Sequence, residues 1–169
     1  MIRKLSAKDY CKDAVTLAPL LLGKYLCRQM GKKTVKLQIT ETEAYYGTKD
    51  TACHAHRGKT PRNSIMFEDG GYAYIYLCYG VHWLFNIVSG KTGFPEAVLI
   101  RGIEGFDGPG KLTKYLQIDK YLNGENLMQS KSLWIEDHGI EAAYRTAKRV
   151  GINSASIKDQ NRLWRFLIK

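Results

Sequence analysis

The stretch Gly70–Gly90, GGYAYIYLCYGVHWLFNIVSG, contains no Asp, Glu, Lys or Arg. Its length would suit a membrane-spanning helix. Gly80 interrupts it, however, His82 and Asn86 are polar, and Tyr and Trp are abundant. Aromatic and β-branched residues favour strands, so the stretch reads as two buried strands, Tyr72–Cys78 and Trp83–Val88, joined near Tyr79-Gly80. Period-two spacing puts Tyr72, Tyr74 and Tyr76 on one face. This reading decides the fold class: a sheet protein with no membrane partner.

The sequence on either side extends the sheet. In TVKLQITETEAYY, Val35, Leu37 and Ile39 alternate with Lys36, Gln38 and Thr40, which marks a strand. The same alternation places Glu41, Glu43 and Tyr45 on the apolar face. Either a bulge resets the register, or the strand carries carboxylates inward at its end, where a cleft would make them candidates for catalysis. AVLIR, Ala97–Arg101, is a further strand. Ser6-Ala-Lys-Asp9 resembles a capping box and predicts a helix start. Pro19 fits the first turn of a second helix running through LLLGKYLCRQ. Gly47–Asn63 reads as a loop. Gly108-Pro-Gly-Lys111 opens a helix, LTKYLQ, whose free N–H groups are available to a phosphate. LWIED, KRVGI and RLWRFLIK read as strands. There is no internal repeat, low-complexity segment or linker. The expected fold is α+β, a single domain over residues 1–169, with a curved, mostly antiparallel sheet and packed helices.

Composition bounds the partners. A chain of 169 residues suits one domain whose core needs neither disulfide nor metal. The net charge of +10 favours polyanions. It is concentrated at the ends: residues 1–36 hold nine basic and two acidic residues, and residues 139–169 hold seven and two. The middle holds ten basic and twelve acidic residues and so keeps the acids available for chemistry. Cys11, Cys27, Cys53 and Cys78 form no CxxC pair, and MIRKLSAKDYCKD lacks the long apolar segment of a secretory signal. Reduced thiols in a cytoplasmic protein are expected.

Glu41–Asn63, ETEAYYGTKDTACHAHRGKTPRN, gathers carboxylates, adjacent tyrosines, a cysteine and two histidines. A metal site, a hydrolase site and a nucleic-acid pocket all use such residues. Cys53, His54 and His56, with Glu43, form the zinc alternative, but C-H-x-H is not a usual ligand spacing and no second Cys or His cluster supports it. Arg57, Lys59 and Arg62 read as solvated charges, some of them on phosphates.

Five ordered blocks, ETEAYYG, TPRNSIMF, YIYLCYGVHWLFNIV, AVLIR and GPGKL, resemble in order and spacing the alkyladenine (3-methyladenine, methylpurine) DNA glycosylases. The likeness runs from about Leu20 through Lys111, and more weakly through RVGI and LWRF. It implies a monofunctional purine DNA N-glycosylase of base excision repair. Such an enzyme flips 3-methyladenine, 7-methylguanine, hypoxanthine or ethenoadenine out of duplex DNA, hydrolyses the N-glycosidic bond and leaves an abasic site. By position, Glu43 resembles the general base and Arg101 the residue that helps to place the attacking water. Tyr45, His54 and Tyr76 resemble the rings that sandwich the flipped base, and Asn86 the side chain that disfavours the guanine amino group. Tyr79 resembles the intercalating wedge. Arg57, Arg62 and Lys111 are candidates for the DNA backbone.

The chemistry of the residues agrees with this. A flipped base must be replaced in the stack. A cage of Tyr and His attracts a cationic alkylated purine by about 0.5–2 kcal/mol over a neutral one. Such a base leaves readily, so one carboxylate and one water suffice. No metal or cofactor is expected. The partner is double-stranded DNA containing damaged purines, the protein acts as a monomer, and the location is cytoplasmic, on the nucleoid in a bacterium. The His54–Thr60 loop is one residue shorter than in the mammalian pattern, and the Arg101–Gly108 segment is much shorter.

Each position also has an ordinary reading. Glu43 could be a strand-end charge and Glu41 is read as structural. The tyrosines could be sheet core, Tyr79 a turn residue, and Asn86 a partner for backbone groups. Arg101 could pair with Glu104 or Asp107 at the surface. The competing function is a catalytically silent nucleic-acid-binding module, which would have no need of Glu43.

Overall fold

The structure is a computed structural model describing residues 1–169. In chain order its elements are β1 Arg3–Lys4, α1 Ala7–Tyr10, α2 Ala14–Leu21, β2 Tyr25–Met30, β3 Lys33–Tyr45, β4 Ala73–Cys78, β5 His82–Ser89, β6 Glu96–Ile103, β7 Phe106–Asp107, α3 Pro109–Tyr115, β8 Leu133–Asp137, β9 Tyr144–Ala147, α4 Ile157–Gln160 and β10 Arg165–Ile168. The strands form one sheet in the order β1-β8-β2-β3-β6-β5-β4; β7 is added to β6, β10 to β3 and β9 to β10. Every pairing is antiparallel. The fold is α+β, as expected.

Gly70–Gly90 is indeed two strands. β4 and β5 pair from Ala73 with Ile87 to Cys78 with His82. β5 is apolar along most of its length because both of its faces are covered. Phe85 and Ile87 enter the main core with Leu17, Ala18 and Leu21 of α2, Leu112 of α3 and Leu116 just past its end. Val88 enters a smaller cluster on the opposite face with Cys53, Ala55, Met66, Tyr74 and Ala97. Tyr72 and Tyr76 pack against that second cluster, as their shared face requires. The sheet therefore separates a helix-covered face from a loop-covered one.

β3 resolves the question of the two glutamates. Val35 and Ile39 lie in the main core. The β3–β6 register is irregular between Ile39 and Thr42. Beyond it Ala44 takes the core-facing place, and the Thr42 hydroxyl donates to Ala18 O of α2 at 2.9 Å. Because side chains alternate, this flip turns Glu43 and Tyr45 to the opposite face. The edge partner changes at the same point: β2 pairs with residues 33–38 and β10 with residues 41–43. The bulge and the buried carboxylate thus occur together.

Two helix and strand expectations are corrected. No helix runs through LLLGKYLCRQ. α2 starts earlier, where Asp13 accepts from Thr16 N–H (2.9 Å) and Glu96 from Ala14 N–H (2.7 Å). Pro19 therefore lies in its last turn. Gly23, at φ +81°, ends it, and Tyr25–Met30 gains more by pairing between β3 and β8. KRVGI is not a strand either. Arg149 turns inward to an ion pair, the Val150 N–H serves a carboxylate rather than a neighbouring strand, and Gly151 has φ +73°. The helix expected at Ser6 is a single turn, α1; there the Ser6 N–H and hydroxyl both donate to Asp9 at 2.8 Å.

Candidate active site

The loop-covered face holds the site. A cavity of about 340 Å³ is lined by Tyr45 from β3, His54 from the loop, Tyr74, Tyr76 and Tyr79 from β4 and its turn, and Asn86 from β5. Its size is at the lower end of small-ligand pockets. His54 meets the Tyr76 ring edge-on at 4.4 Å between centroids, and its Nδ1 is hydrogen-bonded to the Tyr74 hydroxyl at 2.8 Å. Tyr74 and Tyr76 lie 5.5 Å apart. These three rings make one aromatic wall. Tyr45 lines the cavity separately, its ring backed by the Arg149 guanidinium at 5.0 Å. Desolvation of the ring against the aromatic wall, and then nearby Arg62, pull the His54 pKa down although the residue keeps exposed surface, and burial pushes the Tyr74 phenol up to about 12. The walls at these residues are therefore neutral at physiological pH. Asn86 is buried and donates from Nδ2 to Tyr74 O at 3.1 Å, so it both satisfies the backbone and faces the cavity.

Glu43 lies next to this cage. Its side chain is fully buried. One carboxylate oxygen accepts from the Tyr45 hydroxyl at 2.8 Å and the other from the Val150 N–H at 2.7 Å. Burial raises its pKa; Arg101, the Val150 N–H, Tyr45 and Arg149 oppose that shift. Arg101 Nε lies 3.6 Å from Glu43 and donates to Glu41 at 3.1 Å. Glu41 also accepts from Arg165 Nε at 2.6 Å. The ordinary reading that paired Arg101 with Glu104 or Asp107 is thus replaced: Arg101 finds Glu41 across the β3–β6 pair, and Asp107 pairs with Lys111 instead. A second cavity of about 440 Å³, sharing Tyr45, Tyr76 and Tyr79 with the first, reaches Arg101, Val150 and Lys111.

Tyr79 sits at the turn between β4 and β5. Tyr79 (φ 51°) and Gly80 (φ 67°) are both left-handed, the pattern of a tight hairpin turn, closed by the Val81 N–H to Cys78 O at 3.1 Å. Glycine adopts this backbone freely, whereas a tyrosine does so at a cost of about 1–2 kcal/mol. Tyr79 is 89% exposed and stands at the rim of both cavities.

The remaining sequence candidates separate. Arg57 is exposed. Lys111 pairs at the surface with Asp107 at 2.8 Å. Arg62 does not point freely into solvent: it donates to Leu77 O at 3.2 Å and lies over the Tyr76 ring at 5.4 Å, on the cavity lining. The zinc alternative does not assemble. Cys53 Sγ faces Pro95 O at 3.8 Å, His56 Nδ1 faces Thr48 O at 2.9 Å, and no three His, Cys, Asp or Glu side chains converge. The residues that sequence reasoning missed are Arg149, Val150 and Asp50. RVGI stood out as a block, but a strand reading cannot show that it folds over Glu43.

Flat rings enclosing room for one planar heterocycle, a buried carboxylate beside them and a bare aromatic at the rim suit an enzyme that handles a single base outside its stack. The comparisons name the family. The family model described as methylpurine-DNA glycosylase (MPG) matches residues 8–107 and 104–169, and the chain belongs to that family of DNA-repair glycosylases acting on alkylated bases. A protein of Borrelia garinii subsp. bavariensis, provisionally named 3-methyladenine DNA glycosylase, is 43% identical over 95% of this chain and 93% of its own length. Proteins with the same provisional name from Natranaerobius thermophilus and Rickettsia felis are 38% and 39% identical, over 98% and 97% of this chain and 96% and 92% of theirs. No helix is long and apolar enough to cross a membrane.

Proposed function

We propose that the protein is a monofunctional glycosylase that flips alkylated or deaminated purines of the 3-methyladenine, 7-methylguanine, hypoxanthine and ethenoadenine class out of double-stranded DNA. The base enters the cage between Tyr45 on one side and His54 and Tyr76 on the other. Tyr79 fills the gap in the stack, and Asn86 disfavours a guanine amino group. Water attacks the sugar C1′ and gives its proton to Glu43. The bond from C1′ to the purine nitrogen breaks, its electron pair leaves with the base, and an abasic site remains. Arg101 helps to place that water. Arg57, Arg62 and Lys111 contribute charge toward the phosphates, Arg62 also from its place on Tyr76.

The observation that carries this reading is the buried Glu43, held by two hydrogen bonds against the wall of an aromatic cavity. A carboxylate kept out of water with a raised pKa is suited to accept a proton. The chain acts as one domain and a monomer, on nucleoid DNA in the cytoplasm, with no metal or cofactor. Release of free base from alkylated duplex DNA, without strand cleavage and lost in Glu43→Gln, is the expected result. Base release by the wild type that persists in Glu43→Gln would overturn the assignment.

A further inference from the structure

The segment Lys148–Ile152 belongs to no strand or helix, yet it contributes to both cavities through Val150, Gly151 and Ile152. Something must hold it. Arg149 is the one buried Lys or Arg side chain of the protein. Its fork donates from Nη1 to Ala44 O at 2.9 Å and to Asp50 at 2.5 Å, and from Nη2 to Asp50 at 2.9 Å and Asp159 O at 3.2 Å. Its guanidinium lies over Tyr45 at 5.0 Å and over Trp164 at 5.1 Å.

Taken with the next residue, these contacts have a pattern. Val150 N–H meets Glu43, Arg149 Nη1 meets Ala44 O, and the Arg149 guanidinium meets the Tyr45 ring. Three successive residues of β3 are gripped by two successive residues of the segment. Only a planar fork with several donors can serve Ala44, Asp50 and Asp159 together. Arg149 Nε is left buried without a partner. A buried ion pair with an unmet donor is a poor device for stability alone, since apolar replacements often serve as well.

We propose that Arg149 is a positioning residue for Glu43: by fastening Lys148–Ile152 to the end of β3, it holds the Val150 N–H on the carboxylate and closes the cavities with Gly151 and Ile152. This rests on the role proposed for Glu43 above. The groups facing Glu43 are Arg101 from β6, the Tyr45 hydroxyl from its own strand, Tyr76 from β4 and Arg149 itself. Glu41 and Arg165 act on it through Arg101. A donor to the anionic carboxylate favours its ionised form, so loosening the Val150 N–H raises the pH at which Glu43 becomes a working base.

The test is the pH profile of single-turnover excision from a hypoxanthine duplex. It compares wild type, Arg149→Lys, Glu43→Gln and a protein with Val150 replaced by its α-hydroxy acid, which removes the N–H and keeps the side chain. Arg149→Lys keeps the charge but loses the fork. In both Arg149→Lys and the ester, the acid limb is expected to move up by about one unit. The rate below it should fall about tenfold and recover at higher pH. Should Arg149→Lys fail to fold by circular dichroism, the ester alone decides whether the N–H matters. A folded Arg149→Lys with the wild-type limb, a pH-independent loss, or an unmoved limb in the ester overturns the proposal. Activity retained in Glu43→Gln would instead overturn the role of Glu43.

Discussion

Replacing Glu43 with Gln changes one proton-accepting atom and little else. The carboxylate accepts from Tyr45 at 2.8 Å and Val150 at 2.7 Å. Gln can keep its carbonyl on the Val150 N–H and turn its amide toward the Tyr45 oxygen, which can accept, so the cavity keeps its shape. Binding of a lesion duplex should therefore change little. Excision should fall by about 10²–10⁴, the usual contribution of a positioned acid or base. Stability supplies a second readout. The folded pKa of Glu43 is raised by burial, so between the ordinary glutamate value, about 4.3, and its raised value the folded state binds more protons than the unfolded. Wild-type stability falls as pH rises through that window, then levels off. Gln has no such slope. The melting temperature of the variant relative to wild type should thus climb with pH across the window. Single-turnover excision of hypoxanthine, a binding titration and melting curves from pH 4 to 8 check the three expectations. Wild-type excision by the variant would refute the chemistry, and a flat melting difference would refute the buried, raised carboxylate.

Three further outcomes are expected. Tyr79→Ala should lower excision most for a well-paired lesion and least for a mismatched one, which costs less to extrude, while Tyr79→Phe should be mild; equal losses in all contexts would make Tyr79 a turn residue only. Binding should weaken at least about tenfold between roughly 50 and 200 mM salt, because the basic ends act through phosphates and release counterions; a flat affinity would contradict this. Activity should survive dialysis against a chelator; loss restored by zinc would revive Cys53, His54 and His56 as ligands.

The sequence by itself determined the middle of the sheet. Aromatic and β-branched periodicity marked β4, β5 and β6 and the shared face of Tyr72, Tyr74 and Tyr76, because alternation along a strand is a local property. It placed Glu43, Tyr45, His54, Tyr76 and Asn86 as site candidates through short blocks of ordered residues, and the fold brings all five to one face. Only the tertiary structure decided which face. The irregularity at Ile39–Thr42 flips both β3 and β6, and no local pattern shows it because Glu43 stays buried after the flip. Nor did the sequence show what buries Glu43. Arg149 and Asp50 are 99 positions apart, and Arg101 finds Glu41 across 60. An ion pair formed across such separations depends on how the chain returns, not on its neighbours in sequence. That is why an isolated KRVGI reads as an apolar strand with charged flanks, when in the fold it is the lid over the carboxylate.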